Sequence, residues 1–143
     1  MKVLFVCVAN INRSQIAEAI FNNLSKSNRA VSAGLKPNRV GVLVRMEHNN
    51  PVSMMKEMGY DMSKARVKGL TRKETESAGR IVLIFDRKHL EEVPAYLRNR
   101  TNVERWEVSG ISDDTPAEEY HRLEKRRIGK IEALVNDLAG RLG

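Results

Sequence analysis

Residues 7 to 14 read Cys-Val-Ala-Asn-Ile-Asn-Arg-Ser, a C-x5-R-S stretch with a serine directly after the arginine. These side-chain types suit the chemistry of a phosphate dianion. An arginine guanidinium holds two phosphoryl oxygens at once. A loop between a strand end and a helix N-terminus turns several backbone N–H groups inward, with the helix dipole behind them. A thiol at the base of such a cup is drawn toward thiolate, with a pKa of about 3.5–7.5. A thiolate facing phosphorus is a nucleophile for covalent phosphoryl transfer. On this reading Cys7 attacks, Arg13 binds phosphate and Ser14 donates to the sulfur. Val8, Ala9, Asn10, Ile11, Asn12, Arg13 and Ser14 wrap the anion. C-x5-R alone also describes a buried structural cysteine, so the elements around it must decide.

Phosphoryl transfer from a phenol or alcohol wants an acid for the leaving oxygen. Asp113 and Asp114 precede the last helix, after the last expected strand. Asp113 is the expected acid, because Asp114 adjoins the helix start, where carboxylates commonly serve the dipole. Asp114 is the alternative acid. His48, His89 and His121 are scattered without metal-ligand spacing, so no metal site is expected. The methionines between 46 and 62 and Trp106 read as core filling.

The elements follow from periodicity. MKVLFVCV is apolar on both faces, as in a buried parallel strand. After the loop, Ile16, Ala19, Ile20 and Leu24 recur at helical spacing, with Gln15, Glu18, Asn22 and Asn23 between them. A second strand covers Arg29–Ser32, closed by Gly34. Residues 35–50 leave loop and strand open. Pro51 fits the first turn of a helix that ends on Gly59, and a polar helix starts near Thr71. RIVLIFD is the clearest strand after the first, followed by a helix interrupted at Pro94 and a short strand at Val103–Trp106. Thr115-Pro116-Ala117-Glu118 reads as a capping box opening the final helix. Alternating strands and helices predict a doubly wound α/β domain with helices on both faces. In such sheets ligands bind beyond the carboxyl ends of the strands, where the Cys7–Arg13 loop falls.

The chain of 143 residues fits one domain over 1–143, with 41% apolar and 30% charged residues. Neither GxxxxGK[ST] nor GxGxxG occurs. The single cysteine excludes an internal disulfide and points to a cytoplasmic, reducing address. The apolar start is too short to span a bilayer, so no membrane association is expected. A net charge of +7 draws anionic partners. Arg122, Lys125, Arg126 and Arg127 read as a solvated helix face among glutamates. With 5% aromatics there are few platforms for stacking bases, which argues against nucleic acid.

These residues resemble the low-molecular-weight protein tyrosine phosphatases and the related arsenate reductases over nearly the whole chain. The resemblance rests on VLFVC-x5-RS, Ser32-Ala33-Gly34, EMGYDMS, ARVKGLT and IVLIFD, then a Trp-bearing strand, an acidic loop and a long last helix. It implies a flavodoxin-like, four-stranded parallel sheet in order 2-1-3-4. It further implies Cys7 as nucleophile, Arg13 as phosphate ligand and Asp113 as general acid, with Asn10 and Ser14 shaping the loop. Asp86 matches a recurrent aspartate at the end of the third strand. Ile11 is similar to what tyrosine-directed members carry, whereas phosphoarginine-directed ones tend to have threonine.

The chain departs from the family pattern at several places. Ala9 stands for a usual glycine, and a positive φ there would cost about 1–2 kcal/mol. Asn12 replaces a frequent second cysteine, Gln15 a common proline and Arg80 a common aspartate. Asp113 is followed by Asp114 rather than proline. The expected activity is hydrolysis of a phosphate monoester, a phosphorylated protein or small aryl phosphate, through a phosphocysteine. Inorganic phosphate, sulfate or vanadate would occupy the loop. No cofactor is required, because Arg13 and backbone amides supply the positive charge. Two alternatives stand beside it: a non-catalytic phosphate-binding relative that docks an anionic partner, and an arsenate reductase using an external thiol.

Overall fold

The structure, a computed structural model, describes residues 1–143. The strands are β1 (Lys2–Cys7), β2 (Arg29–Gly34), β3 (Arg80–Ile84) and β4 (Val103–Trp106). The helices are α1 (Arg13–Leu24), α2 (Val52–Glu57), α3 (Arg72–Ser77), α4 (Ala95–Arg98) and α5 (Ala117–Leu142). All strand pairs are parallel, in the order β2-β1-β3-β4. This is the flavodoxin-like α/β sheet that the sequence reading implied.

β1 is apolar on both faces because it lies inside the sheet, paired with β2 on one side and β3 on the other. Val3 and Phe5 point into the larger core, against Ile16 and Phe21 of α1 and Ile128, Ile131 and Val135 of α5. Leu4 and Val6 point the other way, into a second core with Ile81, Leu83, Phe85, Val93 and Leu97. Truncating a side chain such as Phe5, fully buried here, costs about 3–5 kcal/mol. That rigidity holds the end of β1, and with it Cys7, in place.

Some local readings shift. Pro51 caps α2 rather than starting it, while Gly59 ends it at φ 96°. There Gly59 N–H donates to Lys56 and Tyr60 N–H to Met55, a Schellman ending that needs the left-handed glycine. The stretch before Pro94 is a 3-10 turn, Arg87–Glu92, not an α-helix. The capping box at Thr115 does not form: Pro116 occupies the cap position and no side chain caps α5. Proline, with no N–H and fixed φ, turns the chain in place of the threonine hydroxyl. The side-chain cap occurs instead at Thr71, which accepts from Glu74 N–H. Residues 35–50 form no strand of the sheet, only a 3-10 turn at Val44–Met46 and an isolated bridge of Leu43 to Arg66. No helix is long and apolar enough to cross a membrane.

Candidate active site

Cys7 ends β1 and Arg13 begins α1, so residues 8–12 alone make the crossing. Such a short loop must fold tightly, and Asn10 absorbs the turn with a left-handed backbone, φ 60°. Its side chain, fully buried, is satisfied on every side. Nδ2 donates to Ser14 Oγ at 2.8 Å and Ser32 Oγ at 3.0 Å. Oδ1 accepts from Gln15 Nε2 and Lys68 N–H, both at 2.8 Å. Asparagine tolerates this conformation better than most residues. Ala9 is not among the positive-φ positions, so the strain considered for it is absent. Gly34 makes room for the loop: a Cβ there would stand 2.8 Å from the Val8 carbonyl oxygen and 3.0 Å from the Ala9 carbonyl carbon.

The loop converges on sulfur. Cys7 Sγ lies 2.9 Å from Ser14 Oγ, and Asn10 N–H donates to it at 3.3 Å. Arg13 turns back across the sheet ends, where Nη1 donates to the Val108 carbonyl at 3.0 Å and stands 4.0 Å from Asp86 Oδ1. Burial pulls the Arg13 guanidinium below its ordinary pKa, and nearby Arg127 adds to this. The charges of Cys7 and Asp86 act in the opposite direction. Arg80, by contrast, pairs with Val3 at the far edge of the sheet, so that departure does not reach the site.

Cys7, Ala9, Ile11, Asn12 and Arg13 line a cavity of about 290 Å³. Asp113 lines it too, its Oδ1 accepting from Asn49 Nδ2 at 3.3 Å. Asp114 does not line it and instead accepts from the Ser112 hydroxyl. Val8, Asn10 and Ser14 do not line it either; Asn10 and Ser14 are wholly buried behind the loop. Thus Cys7 and Arg13 of one loop meet Asp113, distant in sequence, at one cavity.

The rest of the wall was not anticipated. Asn38, Glu47, His48 and Asn49 come from the stretch with the weakest pattern, and Tyr120 and Arg127 from α5. Burial raises the Tyr120 phenol pKa, with the Glu124 charge adding to it. Arg127 is a correction, because it is 7% exposed and does not belong to a solvated face. Its Nη2 donates to Glu124 Oε2 at 2.6 Å. The signal was available: 124 and 127 lie one turn before Ile128 and Ile131, on the same stripe. Gln15 is likewise buried rather than solvated, donating to the Arg66 carbonyl as well as to Asn10.

A parallel 2-1-3-4 sheet with a Cys-x5-Arg loop after its first strand defines a phosphatase-type α/β protein. The family model described as low molecular weight phosphotyrosine protein phosphatase matches residues 2–124, and the chain belongs to that family. Among solved structures, it is 26% identical to a low molecular weight protein tyrosine phosphatase from T. tengcongensis, with 96% of this chain and 99% of that chain covered and a TM-score of 0.69. It is 28% identical to an arsenate reductase from Archaeoglobus fulgidus, covering 94% and 98% with a TM-score of 0.63. The YwlE arginine phosphatase shares the fold at 20% identity, covering 99% and 95% with a TM-score of 0.78. No curated protein sequence matches the chain.

Proposed function

We propose that this phosphatase-family chain hydrolyses phosphate monoesters, directed at phosphotyrosine, through a phosphocysteine on Cys7. The observation that carries the reading is that Cys7 and Arg13 line one cavity, while the Ser14 hydroxyl and the Asn10 N–H reach the Cys7 sulfur from behind the loop. In the first step Sγ attacks phosphorus and the bond to the leaving oxygen breaks. Asp113 gives that oxygen its proton. In the second step water attacks phosphorus, returns a proton to Asp113 and releases the thiolate. Arg13 and the inward N–H groups hold the equatorial oxygens throughout. Ile11 on the rim supports an aryl group beside it, by the family resemblance. A cytoplasmic location belongs to the same reading, since a lone catalytic thiol needs reducing surroundings.

Stopped-flow release of phenol from a chromogenic aryl phosphate tests this. A burst stoichiometric with enzyme is expected, absent in Cys7→Ser, which still binds vanadate. Vanadate binding to wild type without turnover would favour a non-catalytic phosphate-binding protein. Arsenate reduction is the second reading, supported by the 28% identity to an arsenate reductase. Cys7 is the only cysteine, so an external thiol would have to supply the electrons. Release of arsenite in the presence of glutathione would favour it.

A further inference from the structure

A second cavity of about 410 Å³ adjoins the phosphate cup and shares His48, Asn49, Asp113 and Tyr120 with it. Its composition opposes that of the chain. Lysine and arginine outnumber aspartate and glutamate by 25 to 18 overall, yet this cavity is lined by Glu57, Asp113 and Glu124 with no lysine or arginine. Glu124 supplies an independent observation. It is 3% exposed, its Oε2 is taken by Arg127, and its Oε1 has no hydrogen-bond partner. A buried carboxylate oxygen left without a donor is costly, and a ligand N–H would relieve that cost. Moreover, the Glu124–Arg127 pair is split across the wall between the cavities. Arg127 lines the cup for the anion, and Glu124 lines the second cavity.

We propose that the second cavity is a substrate subsite for a cationic side chain, lysine or arginine, carried next to the phosphorylated residue of a peptide or protein. The proposal rests on the phosphatase reading and names the substrates it prefers. The aliphatic stem of such a side chain packs along Tyr120, Met54 and Ala117, while its head meets Glu57 and Glu124. His48 and His121 stand exposed at the rim. The resulting preference is opposite in sign to that of the protein's overall field, since a net charge of +7 draws acidic peptides at long range.

The test compares two phosphotyrosine peptides that differ only in carrying lysine and arginine, or glutamate, beside the phosphotyrosine. Rates are measured at about 0.15 M salt, where the long-range field is screened beyond roughly 8 Å. We expect kcat/KM to favour the basic peptide about tenfold, the worth of one hydrogen bond to a charged group. Glu57→Gln, a change at an exposed position, should reduce that ratio several-fold. Glu124→Gln should do so too, with its melting temperature followed in parallel. Equal rates, a preference for the acidic peptide, or a ratio unmoved by Glu57→Gln overturns the subsite. If neither peptide nor any aryl phosphate is turned over, the phosphatase reading fails instead. Dissociation constants of the two peptides for Cys7→Ser then decide: tighter basic binding supports the subsite, and equal binding overturns it.

Discussion

The Gln15 side chain donates a 2.8 Å hydrogen bond to Oδ1 of Asn10, the one loop residue between Cys7 and Arg13 with a positive φ. Gln15 thereby ties the first turn of α1 to the bend of the loop and, through the Arg66 carbonyl, to the segment beyond α2. Asn10→Ala removes this tie, leaves Ser32, Gln15 and Lys68 N–H without their partner, and puts a Cβ residue without side-chain support at φ 60°. The expected loss is on the order of 3 kcal/mol, seen as a lower denaturation midpoint. Asn10→Gly recovers only the backbone part, about 1 kcal/mol. If Asn10→Gly is as stable as wild type, the side-chain network contributes nothing.

Ala9 tests how far the loop tolerates departure from glycine. Its φ is not positive, so Ala9→Gly relieves no strain and adds freedom only to the unfolded chain. The variant should be about 0.4–1 kcal/mol less stable and no faster on an aryl phosphate. A gain in kcat/KM would show that alanine constrains the loop against its working shape.

Asp113 and Asp114 should separate cleanly by leaving group. Asp113 lines the cavity with Cys7, whereas Asp114 is turned to Ser112. Asp113→Asn should slow poor leaving groups by about 100-fold or more and activated aryl phosphates far less, because only the former need a proton. Asp114→Asn should show no such dependence. The slope of log kcat against leaving-group pKa reads the difference, and a steeper slope in the Asp114 variant would reassign the acid.

Tyr60 links the segment after α2 to α5 through a hydrogen bond donated to Glu132. That bond, with burial and the Glu132 charge, pushes the Tyr60 phenol up to about 12. A tyrosine whose pKa is raised by folding stabilises the native state while it stays protonated. The contribution is therefore complete below the unfolded value near 10 and is lost as pH rises from about 10 to 12. Denaturant midpoints across that window should fall more steeply for wild type than for Tyr60→Phe. Parallel slopes would show that the bond adds no net stability.

Much of this protein was legible from one dimension, because the informative signals are local. The two-faced apolar run of β1 demands a position inside a sheet, and alternating strands and helices leave a parallel order as the economical solution. Cys7, Ser14 and Arg13 fall on one loop and the helix it enters, so spacing alone brings them together. Asp113 could be placed because a parallel sheet delivers every loop after a strand to the same edge. The rest needed the third dimension. Residues 38 and 47–49 carry no periodicity, since a segment folded against a cavity wall has neither a repeating face nor a ladder to pair with. Arg127 and Glu124 looked like members of a charged run, and only packing against the sheet shows them buried as a pair. Charge in a sequence does not reveal burial; that depends on which surface the rest of the chain brings against it. Nor could sequence tell that the left-handed turn falls on Asn10 rather than Ala9, because β2, Gly34 and Lys68 set where the loop must bend.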